Sequence, residues 1–254
     1  MHMQNIKFIL FIFLVNIFVV HGQIKVKTPI QKEITDTIAK NMLDAQGLRH
    51  GFWQGFYEDS KKLRYEGKFN HGQETGLFTY YANLDKKIVS ATRNFTAKNN
   101  AYTIFYDDKK NVVSEGNTVN KLRTGIWKYY HKESKTVMTT ENYLNDKIVN
   151  ARKVYFSDGK LAEEVFYKNG LKDGLSKKYS KNGKLLEESI YVNNELQGPY
   201  KVFDESGKIL IKGQFKKDKK NALWQYFENG KLVREMNADT INGYKKPKPK
   251  EKKP

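Results

Sequence analysis

The sequence predicts an all-β fold: an elongated antiparallel meander of about eight β-hairpin repeats, with a short N-terminal helix and a disordered C-terminal tail. Three features point there. An aromatic residue returns in register at Tyr57, Tyr81, Tyr106, Tyr130, Phe156, Tyr179, Phe203 and Phe227, and self-similarity at a fixed period of about 24 residues marks a repeat architecture. A small residue opens each interval, at Gly51, Gly76, Ala101, Gly125, Ala151, Gly174, Gly198 and Ala222. Turn pairs follow the aromatics at Asp158-Gly159, Asn182-Gly183, Ser206-Gly207 and Asn229-Gly230. Glycine there supplies the positive φ that tight hairpins need, because it lacks the clashing Cβ.

The elements follow in chain order. Lys7 precedes an apolar run from Phe8 to Val20, and Val20-His21-Gly22 sets small or apolar residues before a cut between Gly22 and Gln23. The run is shorter than the ~20 residues a spanning helix needs. Residues 1–22 therefore read as a secretory signal peptide, and the mature chain as exported (periplasmic, cell-surface or secreted) with no transmembrane segment after cleavage. Residues 23–48 form an N-terminal segment with a short helix: Thr28 caps it, Pro29 suits its first position, and Ile30, Ile34, Ile38 and Met42 make one apolar stripe. The repeat array spans 49–236, each unit reading strand–turn–strand–turn. The tail, 237–254, ends in ten residues holding six Lys, one Glu and three Pro; such a segment builds no core and reads as basic and disordered.

Composition narrows the function classes. The 254 residues include no Cys, which excludes a disulfide framework, thiolate metal centres and a cysteine nucleophile. Lys and Arg number 46 against 28 Asp and Glu, a formal charge of +18, which favours acidic partners. Among these a protein ranks first, an anionic envelope surface or lipid is the alternative, and nucleic acid ranks last. Glutamates recur with the repeat, at Glu66, Glu115, Glu164, Glu188 and Glu235. Glu164 and Glu188 share a face two strands apart, roughly 10 Å, wide for paired catalytic carboxylates. No catalytic residue is expected, so the chain reads as a non-enzyme. His50, His71 and His131 are scattered without metal-ligand spacing, so neither a metal site nor a cofactor is expected.

Alternate strand residues face opposite sides. The in-register aromatic shares its face with the residue four earlier, as in Leu77/Tyr81, Ile126/Tyr130 and Leu223/Phe227. That uniformly apolar face is expected to pack as a spine. The other face is mixed, and its residues Trp53, Phe78, Tyr80, Trp127, Tyr129, Lys153, Lys178, Tyr200, Trp224 and Tyr226 are the candidate recognition surface.

Two stretches carry a family resemblance: Gly125-Ile126-Trp127-Lys128-Tyr129-Tyr130 and Asn182-Gly183-Lys184-Leu185-Leu186-Glu187-Glu188. They resemble the bacterial variant of the MORN repeat, in the family of YwqK-like antitoxins. The entry from Asp44-Ala45-Gln46-Gly47 to Gly51-Phe52-Trp53 is similar to the start of such arrays, and the resemblance spans about residues 44–236. It implies an elongated hairpin meander used for protein assembly or for contact with acidic lipids, with an antitoxin or immunity role in some members. Ala101, Ala151 and Ala222 depart from the pattern where it has glycine.

Overall fold

The computed structural model describes residues 40–242. The expected signal peptide with its Gly22/Gln23 cut, most of the expected N-terminal helix and the last twelve residues of the tail lie outside that range. The described residues belong to one unit that begins at Ala39.

They form a 17-stranded sheet in which every strand pairs antiparallel with its sequence neighbours. In order the strands are β1 (Met42–Leu43), β2 (Arg49–Phe56), β3 (Leu63–Asn70), β4 (Gln73–Tyr81), β5 (Val89–Ala97), β6 (Asn100–Tyr106), β7 (Val112–Val119), β8 (Leu122–Tyr130) and β9 (Val137–Leu144). Then come β10 (Lys147–Tyr155), β11 (Leu161–Lys168), β12 (Leu171–Tyr179), β13 (Leu185–Val192), β14 (Glu195–Phe203), β15 (Ile209–Lys216), β16 (Lys219–Glu228) and β17 (Lys231–Asn237). No helix of the described residues is long and apolar enough to cross a membrane.

Turn chemistry explains the meander. Two-residue connections occur at His71-Gly72, Asn120-Lys121, Asn145-Asp146, Asn169-Gly170, Asn193-Asn194 and Lys217-Asp218, with φ positive at both positions. That is the geometry whose twist matches the flanking strands, and Asn and Gly tolerate it best. These turns also bond back to the preceding hairpin. The Asn194 N–H donates to the Lys172 carbonyl at 2.8 Å, while Asn194 Oδ1 accepts from the Lys172 N–H at 2.7 Å. Asp218 repeats the pattern on Leu196. The longer connections close on a side chain instead: Asp107 Oδ1 accepts from Lys109 N and Asn111 N at 2.9 and 2.8 Å, and Asp204 does the same for Ser206 and Lys208.

A second positive-φ position recurs near the start of the even-numbered strands, at Gly76 (φ 65), Gly125 (65), Asn150 (60), Gly174 (117), Gly198 (89) and Ala222 (55). Each coincides with a register shift against the preceding strand. Such bulges bend the strand and reset which residues share a face. In the fifth interval the conformation falls on Asn150 rather than the expected Ala151. Arg152 therefore takes the place that Trp127 holds in the preceding hairpin, and Lys153 turns to the other side.

The most deeply buried rings lie on the face opposite the expected spine, although Tyr81 of that spine is also buried. Phe78, Trp127 and Trp224 are 0%, 2% and 1% exposed, whereas Leu77 and Ile126 are 60% and 61% exposed. The rings lie over glycines on the preceding strand: a Cβ on Gly67 would meet Phe78 at 2.5 Å, one on Gly116 would meet Trp127 at 2.5 Å, and one on Gly213 would meet Trp224 at 2.3 Å. Large and small residues thus alternate across the core. At Val165↔Ser176 the sizes exchange, with the valine on the glycine's side, and both remain buried. Each buried indole N–H meets a backbone carbonyl, Trp127 at Asn117 (2.9 Å) and Trp224 at Gln214 (3.2 Å), so burial leaves neither donor unpaired.

The opposite face carries a charge ladder. Glu164, Lys177, Glu188 and Lys201 stand opposite one another on successive strands, with Lys177–Glu188 at 3.9 Å and Lys201–Glu188 at 3.7 Å. These half-exposed pairs contribute about a few tenths of a kcal/mol each. Lys177 stands between Glu164 and Glu188.

The ends of the sheet correct two expectations. Met42, read as part of a helical stripe, lies in β1 and pairs with His50. The first residues of the expected disordered tail are ordered: Asn237 ends β17, and Ala238–Asn242 form a short helix, α1. Asn237 Oδ1 accepts from the Asp239 N–H at 3.0 Å, Ala238 is buried, and Asp239 Oδ1 accepts from the Ala222 N–H at 3.2 Å.

Candidate functional site

The row of core rings is interrupted in the third hairpin. Thr103 stands where neighbouring hairpins carry Phe78 and Trp127, and Thr118 stands where they carry Phe95 and Tyr143. Both threonines are buried and hydrogen-bonded to each other at 3.3 Å. The missing ring volume leaves a hollow of about 410 Å³ lined by Tyr57, Arg64, Tyr80, Arg93, Phe105 and Lys121, among others. A larger hollow of about 880 Å³ shares Arg64, Tyr80, Arg93 and Lys121 and extends to Arg49, Tyr65, Glu74 and Lys98. Together they form a groove whose volume suits a bound ligand or side chains of a partner.

Its walls are aromatic and its charge is positive. Arg93 donates from Nη2 to Thr118 Oγ1 at 3.1 Å and lies 4.9 Å from the Phe95 ring centre. Arg49 donates to the Tyr65 hydroxyl at 3.1 Å and lies 5.1 Å from the Trp53 ring centre. The Arg64 guanidinium stands 5.8 Å from the Tyr57 ring centre. These contacts fix the guanidinium groups without neutralising them, since none of Arg49, Arg64, Arg93, Lys98 and Lys121 forms an ion pair among the described residues. Burial, then the nearby Glu74 charge, push the Tyr80 phenol up to about 12 against the pull of Arg93, so it remains a neutral hydrogen-bonding group at physiological pH. Planar guanidinium groups on a rigid aromatic wall suit bidentate capture of carboxylates.

The candidate recognition residues divide. Tyr80 lines the groove, and half-buried Trp53 beside it donates its indole N–H to the Met42 carbonyl at 3.0 Å. Phe78, Trp127 and Trp224 are core and are withdrawn as surface residues. Lys153 faces the charge ladder, 3.3 Å from Glu164. Lys178 does share the core-ring side but pairs with Glu187 at 3.1 Å. Tyr129 accepts from Arg123 at 3.1 Å. Tyr200 packs against Phe215 and Trp224 and donates to Glu187 at 3.2 Å. Tyr226 accepts from Lys220 at 3.1 Å. Sequence reasoning missed Arg64 and Arg93. Arg64 lies at the register shift between Gly55 and Phe56, where simple alternation fails.

The family model for the MORN repeat variant matches three consecutive stretches, residues 149–169, 172–193 and 196–217. They coincide with β10–β11, β12–β13 and β14–β15, so the chain carries repeats of this type. No curated protein matches the chain. Similar solved structures include a mutant of S. aureus TarM in complex with fondaparinux, α-GlcNAc-glycerol and UDP (14% identity, 48% of this chain and 19% of that one, TM-score 0.23). A Photorhabdus luminescens Tc holotoxin pore with mutated TccC3 is 10% identical over 73% of this chain and 12% of that one, TM-score 0.19. A TcdB2–TccC3–Cdc42 structure is 9% identical over 73% and 13%, TM-score 0.21. This chain spans less than a fifth of the length of each.

Proposed function

We propose that this chain is an exported, non-enzymatic repeat scaffold that binds an acidic protein segment in the groove over β2–β8. The observation that carries the reading is the set of unneutralised cations Arg64, Arg93 and Lys121 around the hollow left by Thr103. An extended acidic peptide can place carboxylates on the guanidinium groups and apolar side chains against Tyr57, Tyr80 and Phe105. Export rests on the N-terminal apolar run alone. A toxin as the bound protein, which would make the chain immunity-like, is the narrower form of this proposal.

Calorimetry with an acidic peptide carrying aromatic residues tests it. A hydrogen bond to a charged group contributes about 1.5–3 kcal/mol, so Arg64→Ala and Arg93→Ala are each expected to weaken binding about tenfold or more, while Lys153→Ala on the opposite face leaves it unchanged. Equal loss in all three variants, together with binding to anionic vesicles that vanishes at high salt, favours general electrostatic attachment to a surface instead.

A further inference from the structure

The fold brings together three side chains that are far apart in sequence. Asp44 lies in the turn after β1, His50 on β2, and His71 in the turn between β3 and β4. A ligand atom from each lies within 4.8 Å of the others. The His50 and His71 rings are 5.2 Å apart at 50°. His71 Nδ1 is 2.7 Å from Asp44 Oδ2. The other carboxylate oxygen is already committed, since Oδ1 accepts from Gln46 N at 2.9 Å and Leu48 N at 2.8 Å. The turn therefore fixes the carboxylate and aims Oδ2 at the two imidazoles. The Asp44 side chain is only 8% exposed, whereas that of His71 is 60% exposed, so an ion entering from solvent would meet the imidazole side of the cluster first.

We propose that Asp44, His50 and His71 form a binding site for a borderline divalent metal ion of the Zn²⁺ class. Two imidazoles and one carboxylate are a ligand set of this class, whereas Mg²⁺ and Ca²⁺ seek oxygen ligands alone. Three protein ligands leave a fourth position for water or for a ligand from a partner. The ion would join β1, β2 and the β3–β4 turn at one edge of the sheet, and metal affinity would add to the stability of that edge. The contact between His71 Nδ1 and Asp44 Oδ2 holds the pair together in the absence of the ion.

The test is titration of the purified chain with ZnCl2, and with MgCl2 for comparison, followed by calorimetry and by NMR of the His50, His71 and His131 rings. The variants are chosen to fold. His71→Asn keeps a residue that occupies the same turn position at Asn120 and Asn169, Asp44→Asn keeps the Oδ1 acceptor, and His50→Gln sits on an exposed strand position. Expected are one Zn²⁺ per chain, movement of the His50 and His71 signals, and no response to Mg²⁺. Loss of even an outer-shell partner weakens metal binding by about 10–100-fold, so each ligand variant should lose at least tenfold in affinity, while His131→Ala loses none. Absence of saturable 1:1 binding overturns the proposal. So does binding that survives undiminished in the His50→Gln, His71→Asn double variant.

Discussion

The ring-over-glycine packing at Gly116 and Trp127 makes a quantitative prediction. Gly116→Ala places a methyl carbon 2.5 Å from the indole, roughly 1 Å inside ordinary van der Waals contact. The ring must withdraw by about that distance. Its N–H then moves from 2.9 Å to beyond hydrogen-bonding range of the Asn117 carbonyl, which loses about 1 kcal/mol. Overpacking adds about 1–3 kcal/mol, so the expected cost is about 2–4 kcal/mol. Trp127→Ser leaves a cavity instead and costs about 3–5 kcal/mol. The chain itself shows how both can be reconciled, because Val165 and Ser176 fill the equivalent positions with sizes exchanged. The double variant Gly116→Val, Trp127→Ser should therefore cost clearly less than the two single changes added together. Urea unfolding of the unaltered chain, Gly116→Ala, Gly116→Val, Trp127→Ser and the double variant, read with amide hydrogen exchange in β7 and β8, measures the coupling. Additive effects, or a Gly116→Ala cost below about 0.5 kcal/mol, refute the packing argument.

Two further predictions concern backbone and pH. Ala222 holds φ at 55° where Gly125 holds 65°, and a left-handed non-glycine residue costs about 1–2 kcal/mol. Ala222→Gly should raise the urea midpoint, and Gly125→Ala, which has open space around its Cβ, should lower it by strain alone; opposite or absent shifts count against the bulge model. The Tyr200 phenol is pushed up to about 12 by burial first and by the Glu187 charge second. A raised folded-state value means that this stabilisation is complete below the ordinary tyrosine range near pH 10 and is lost as pH rises toward 12. The urea midpoint should hold at pH 9 and fall by pH 11.5, with a smaller fall in Tyr200→Phe; identical falls in both proteins remove Tyr200 as a cause.

Much of the strand pattern was legible because aromatic spacing and turn residues are local signals. Asn182-Gly183 and Asn229-Gly230 mark turns wherever the strands point. Which face is buried was not legible. Strict alternation puts Leu77 with Tyr81 and Ile126 with Tyr130, and both leucine and isoleucine look like core. The buried side is set by Phe78 and Trp127 lying over Gly67 and Gly116 of the preceding strands, a pairing between strands that alternation within one strand does not reveal. A shift of one residue, from Ala151 to Asn150, was enough to move Lys153 to the wrong face. The groove escaped for a related reason: its cause is the absence of a ring at Thr103, and an absence stands out only when the hairpins are superposed. Asp44, His50 and His71 share no spacing rule, and only the turn after β1 and the tight turn at His71 unite them.

Strictly sequential pairing has a consequence for how such a molecule is made. Among the described residues no strand waits for a distant portion of the polypeptide before it finds its hydrogen-bonding mate, so the entropic cost of closing long loops does not arise in the sheet. Ordering can advance hairpin by hairpin as synthesis proceeds, each completed module serving as the template for the one emerging behind it. The same property lets the gene grow or shrink by whole modules, since an inserted pair of strands disturbs only the two junctions that flank it.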